Sequence, residues 1–318
     1  MLKALVDWTA KYPLLLVDLL LVVLSVLFVP SFASVGNLIN FAVQISALGI
    51  AAIGLTTVII GGGIDLSISS NLALASIAGA LIMTGHGDGF ALWGILVIFA
   101  VSLFIGVINS FFIVKIGMHH FITTISMYIF LEGVALWITE SRTVPDLPFA
   151  FLFFGRARLF GWPLPVIIFA ITFTLANYAL TRTAFGRSLY AIGGNRRAAL
   201  ISGLRVRRTR TITYLLSGIC AAIAGIILTG RLGAASPIIG HFLLLDIVSA
   251  CVLGGASLFG GRGDLKGTLF GVILIGLISN ILDFLGVIFY FTLAIKGAIL
   301  VLSVIFDFYQ RKFSLARG

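Results

Sequence analysis

The stretch densest in chemistry is Gly61-Gly62-Gly63-Ile64-Asp65-Leu66-Ser67-Ile68-Ser69-Ser70-Asn71. Three glycines free the backbone, and the acid and hydroxyls after them are the residue types that cap a new helix. Set between two apolar runs, this order describes a helix broken at membrane depth, the device by which transporters turn helix termini and short polar side chains toward a substrate. The same residues also suit a tight turn with Asp65 as N-cap, and a recessed turn satisfies both readings. Asp65, Ser67 and Asn71 are the candidates here for lining a path. Ionisable residues inside apolar runs are functional candidates by default. Asp246 and Lys296 add two more path positions, with Lys296 placed mid-run to pair with an acid or to snorkel, and Glu132 lies in or at the edge of another run.

Arg182–Arg210 holds eight arginines and no Asp or Glu, and so supplies most of the net charge of +10. Within it Gly193-Gly194 permits a sharp turn, Asn195 can cap a helix, Arg196 to Ser202 contains good helix formers, and Gly203 suits the position after a helix end. A capped short helix is more than a topogenic charge run requires, and it points to a protein partner. Gly193, Gly194, Asn195, Arg196, Arg197, Ala198, Ala199, Ser202 and Gly203 are its candidate coupling residues. The patch is small and anchored in the membrane, which disfavours nucleic acid. A second glycine-rich stretch, Leu253 to Thr268, resembles a phosphate loop only superficially. That loop needs glycine before lysine and Ser or Thr after it, whereas Lys266 precedes Gly267. No stretch supports ATP binding by this chain, and no cofactor or metal site is expected. His119-His120 lacks the spacing of a metal-binding pair, His86 and Asp88 read as structural, and Cys220 and Cys251 read as small buried side chains.

These residues need elements to position them, and composition says which. Of 318 residues 60% are hydrophobic and 10% charged, with mean hydropathy +1.19. That excludes soluble and disordered classes. A spanning helix takes roughly 20 apolar residues, and ten segments qualify: about 13–30, 38–60, 68–84, 91–114, 121–139, 163–181, 211–229, 245–260, 267–282 and 286–306. The expectation is one domain over 1–318, an all-α polytopic membrane protein with glycine-broken helices near its centre. Asp18 interrupts the first run and the cleavage pattern is poor, so that run reads as a span rather than a leader. Both glycine-rich turns join an inward-going to an outward-going span, which hints at an internal repeat.

Orientation follows the Lys/Arg bias. With the N-terminus inside, 16 of the 21 basic residues are cytoplasmic, among them Lys3, Lys11, Lys115 and Arg317, and four are outside, Arg142, Arg156, Arg158 and Arg231. Both termini are therefore expected in the cytoplasm. The outer loop, about 140–162, is rich in aromatics and reads as a segment lying on the bilayer, or else as a lip for an extracytoplasmic partner. Gly218, Ala222 and Gly225 put small residues on one face of the seventh span, which favours close packing.

Three stretches together resemble a known family: GGGIDLSISS at Gly61–Ser70, FGRSLYAIGGNRRAALISGLRV at Phe185–Val206, and LDIVSACVLGGASLFGGRGDLKGTLFG at Leu245–Gly271, followed by IKGAILVLSVIFD. The chain is similar to permease subunits of bacterial sugar ABC importers, the ribose/xylose/galactofuranose group that includes autoinducer-2 permeases. It departs from that pattern at Leu244-Leu245-Asp246, where an acid is missing, at Ile68-Ser69, and at His119-His120-Phe121. The resemblance implies a multi-pass protein of the bacterial inner membrane that pairs with a second permease, identical or similar. It also implies a cytoplasmic ABC ATPase that binds ATP and Mg, a periplasmic sugar-binding protein, and a coupling helix around Asn195–Gly203. Membrane lipid is the remaining partner. A branched-chain amino acid or nucleoside importer permease stays open as an alternative, as do an ion-coupled secondary transporter and an intramembrane enzyme.

Overall fold

A computed structural model describes residues 12–315. Ten apolar helices carry the architecture. They are α1 (Pro13–Phe28), α2 (Val35–Ile60), α3 (Ile68–Met83), α4 (Ala91–Ser110), α5 (His120–Thr139), α7 (Leu164–Arg182), α10 (Val206–Leu232), α11 (Leu243–Leu253), α12 (Leu265–Phe284) and α13 (Phe289–Leu315). Each falls on an expected span. Among the described residues six helical runs are long and apolar enough to cross a membrane, and four apolar helices are shorter. The charge count assigned Lys3, Lys11 and Arg317 to the inner side, and these lie outside the described residues.

The long apolar runs form helices because a helix satisfies every backbone polar group within its own segment. The packing of those helices follows side-chain size. In lipid, association depends on close van der Waals contact, which favours small residues between backbones. α10 shows this on two sides. A Cβ added at Gly218 would stand 2.6 Å from the Ser102 carbonyl oxygen of α4, and one at Gly225 would stand 2.6 Å from Ser76 Oγ of α3. Ala222 between them is fully buried. The stripe read from the sequence therefore packs helices within one chain. α2 lies against α10 through Gly54, where a Cβ would meet Cys220 Cβ at 2.9 Å. α2, α3, α10 and α12 form the interior, while α5 and α7 keep most of their surface exposed. Cys220 and Cys251 are buried free thiols.

α4 continues as a single π-helical stretch, Phe111–Ile116, and stops at Gly117 in the left-handed region (φ 90°). The segment expected as the outer loop is folded against the bundle. It folds into α6 (Phe149–Arg156) and a two-residue hairpin, Arg158–Leu159 with Trp162–Pro163. Phe151 is buried, and Gly155 sits so close to Arg231 that a Cβ there would strike its backbone nitrogen. Arg156 Nε donates to the Arg231 carbonyl at 3.1 Å, and Asp88 accepts from the Ala150 amide at 3.0 Å. Backbone contact with the end of α10 makes it a docked cap. Phe149, Phe160 and Trp162 remain exposed.

Candidate functional site: a glycine junction and an intramembrane polar cluster

Three backbone segments meet at the arginine-rich end of the bundle. The first is the break after α2, where Gly61 caps the helix and Gly62 takes φ 72°. The second is the end of α8 (Ala184–Gly194), and the third is the α11–α12 loop. The Gly261 amide donates to the Ile60 carbonyl at 2.9 Å. Gly193 approaches the same carbonyl so closely that any Cβ would strike it. The sequence suggested that Gly193-Gly194 form a sharp turn, and the structure corrects this. Both residues end α8 in helical conformation, and Gly193 is needed for contact with Ile60 and Gly261.

α9 (Arg196–Ile201) hangs directly from that junction. Asn195 caps it by accepting from the Ala198 amide at 3.0 Å. Gly203 follows in the left-handed region at φ 79°. Ala199 is buried against Ile192 and Val206, whereas Leu200 and Ile201 are 64% and 81% exposed. Arg197 and Ala198 are exposed as well. From α8, the Tyr190 hydroxyl donates to the Gly263 carbonyl at 2.8 Å. Burial, with the Asp264 carboxylate nearby, holds that phenol above its ordinary range, so it stays protonated as the donor. Asp264 caps α12, accepting from the Gly267 amide at 2.6 Å. The two glycine-rich turns noted in the sequence are thus in contact, with the end of α8 packed on both and hydrogen-bonded to the second.

Asp65 is 2% exposed and holds the break to two other helices. It accepts from the Ser67 amide and hydroxyl at 3.1 and 2.6 Å, and from Ser217 Oγ of α10 at 2.7 Å. Asn109 of α4 donates to Ser67 Oγ at 2.8 Å. The N-cap of α3 is Ser67, two residues later than the Asp65 cap expected from sequence. Asn71 donates to the Ser102 carbonyl at 3.3 Å. Asp65, Ser67 and Asn71 are therefore enclosed by α3, α4 and α10.

Asp246 and Lys296 come together as the sequence allowed. Lys296 Nζ lies 2.8 Å from Asp246 Oδ2, a partly buried ion pair tying α13 to α11. Glu132, noted in the sequence as an ionisable candidate, belongs to a second cluster whose other members the sequence did not single out. The segment before α11 folds inward until Gly240 packs on the Ser69 carbonyl of α3. This sets His241 Nδ1 2.7 Å from Glu132 Oε1 and 3.1 Å from the Tyr128 hydroxyl. Tyr128 and Glu132 share one face of α5 at i, i+4 spacing. The Glu132 carboxyl against Nδ1 leaves Nε2 with its own hydrogen-bonding capacity. The His241 side chain is 48% exposed and that of Glu132 20%. Such a cluster can hold a hydroxyl-bearing solute by several weak polar contacts. Glu132 within an apolar run was its trace in the sequence, with Tyr128 four residues before it.

The chain matches the family described as branched-chain amino acid transport system / permease component over residues 37–304. It is 40% identical over 298 residues to the ribose import permease protein of Bacillus subtilis (strain 168), covering 93% of this chain and 91% of that protein. Identity to the ribose import permease protein of Escherichia coli (strain K12) is 36% over 307 residues, 94% of each chain. The L-arabinose transport system permease protein of the same strain is 33% identical over 314 residues, 95% of this chain and 92% of that protein. No solved structure matches it.

Proposed function

This chain belongs to the family of ABC-importer permease components, and from that premise we propose that it forms half of a monosaccharide path worked by a separate ATPase. It is a membrane permease subunit of a sugar importer. The observation that carries the mechanism is the glycine junction, because it joins an exposed capped helix to both backbone breaks without an intervening flexible link.

In this reading the arginine-rich end and both termini face the cytoplasm of a bacterial inner membrane, as the Lys/Arg bias requires. α9 is the coupling helix. Its exposed Leu200 and Ile201 enter a groove on the ABC ATPase, which binds ATP and Mg, and Arg197 meets acidic side chains around that groove. Movement of α9 is passed through Gly193 to Ile60 and Gly261, and so to the ends of α2 and the α11–α12 loop. A second permease copy or a similar chain closes the path, and a periplasmic sugar-binding protein delivers the solute above the docked cap of α6.

Sugars are uncharged and rich in hydroxyls, so weak polar contacts suit them better than a fixed counter-charge. Tyr128, Glu132, His241 and the Asp246–Lys296 pair are the contacts we assign to the path. Asp65, Ser67 and Asn71 serve it from behind, by holding the wall that the break forms.

The test is uptake by liposomes carrying the permease, its ATPase and its binding protein. ATP-dependent accumulation of ribose, arabinose or another monosaccharide, but not of leucine, is the expected result. The family description makes leucine the informative competitor, and leucine uptake with no sugar uptake would overturn the assignment.

A further inference from the structure

Beside the glycine junction lies a cavity of about 330 Å³, lined among others by Gly61, His119, His120, Gly193, Arg196 and Arg210. Its walls come from the α2 break, the end of α4 and the turn leading into α5, the α8–α9 junction, the first turns of α10 and Phe259 of the α11–α12 loop. The cavity is strongly basic. Arg210 is only 6% exposed, and none of the ion pairs among the described residues includes it. Its neighbours are the Tyr214 phenol and a second guanidinium, Arg196, close enough to repel it. His119 and His120 stack with ring centroids 4.6 Å apart, and His120 Nδ1 is buried without a hydrogen-bond partner.

A buried guanidinium is ordinarily paired, because removing it from water costs several kcal/mol. Asp65, which acts on the neighbouring Tyr214 phenol, is already engaged by Ser67 and Ser217. Two guanidiniums, one of them buried, together with an orphaned imidazole nitrogen, leave a cationic cavity with no ion pair to neutralise it among the described residues. Guanidinium forks match phosphate oxygens bidentately. The volume exceeds that of one inorganic anion and falls at the small end of ligand pockets.

We propose that this cavity is an anion site for a phosphate group, held by Arg210 and Arg196 with His120 as a further partner. The phosphate belongs either to a small soluble ester or to an anionic lipid headgroup at the membrane surface. Because the walls include the α2 break, the α8–α9 junction and Phe259 of the α11–α12 loop, an occupant ties together the elements that meet at the glycine junction.

The experiment titrates the full-length chain in phosphatidylcholine nanodiscs with inorganic phosphate and with glycerol 3-phosphate, by calorimetry. Saturable binding is expected, weakened at least tenfold by Arg210→Gln and by Arg196→Gln and unchanged by Arg197→Gln. Arg196 is on the exposed rim, so its variant carries the test if the buried Arg210→Gln fails to fold. A second arm repeats the titration in phosphatidylglycerol nanodiscs. A fall in apparent affinity there identifies the headgroup as occupant, and an unchanged affinity identifies a soluble ester. Absence of saturable binding in neutral nanodiscs, or equal binding by wild type and both cavity variants, would overturn the proposal.

Discussion

The Asp246–Lys296 pair lies between two helices at partial burial, and that position sets the consequence of breaking it. Truncating one partner leaves an unpaired charge in a poorly hydrated place, whereas replacing both with apolar groups leaves none. Lys296→Met should therefore destabilise the protein by about 3 kcal/mol, and the double change Lys296→Met with Asp246→Leu should recover most of that loss. Thermal unfolding of the four members of this cycle in detergent checks it; additive losses would show that the two residues do not act as a pair. The His241 cluster predicts a different outcome. Glu132→Gln preserves shape but removes the charge beside His241 Nδ1, so sugar uptake should slow about tenfold, on the order of 1.4 kcal/mol, with membrane insertion unchanged. Uptake rates normalised to protein in the membrane supply the measurement. Both side chains of the Asp246–Lys296 pair stand out in an apolar sequence, which is why they were legible. His241 was not, because its role depends on a segment folding inward to meet α5.

Among the elements, α9 and the end of α8 make the sharpest contrast between adjacent residues. A Cβ at Gly193 strikes the Ile60 carbonyl, and backbone cannot yield as a flexible side chain can, whereas a Cβ at Gly194 meets nothing within 4 Å. Gly193→Ala should abolish transport or assembly and Gly194→Ala should be tolerated, as read by uptake beside expression level. Leu200→Asp with Ile201→Asp should leave insertion intact while removing stimulation of the ATPase by substrate. Normal stimulation in that double variant would rule out α9 as the coupling helix. The cap itself was readable from Asn195, which needs only its own next turn; the close approach of Gly193 was not, since glycine in sequence looks the same whether it turns the chain or admits a neighbour.

For the whole molecule, the basic residues impose a direction. The arginine-rich end should face the cytoplasm and the α6 cap the outside. A single cysteine at position 207 should react with a membrane-impermeant maleimide only in inverted vesicles, and one at Trp162 only in intact cells. Cys220 and Cys251 are buried and add little background. Labelling at 207 in intact cells would invert the topology.

The sequence by itself determined the class of protein, the ten apolar helices, the two glycine-rich turns and the capped helix at Asn195. Each of these depends on hydropathy or on hydrogen bonds within a few residues, quantities that accumulate along the chain. Only the tertiary structure decided that Gly193, Ile60 and Gly261 share one junction, that Asp65 fastens the break to Ser217, and that His241 reaches Glu132. It also decided that Arg210 lies buried without a carboxylate partner among the described residues. Those facts depend on which backbones approach, and in a bundle where nearly every helix is apolar, hydropathy distinguishes no pairing from another; the contacts of small residues do.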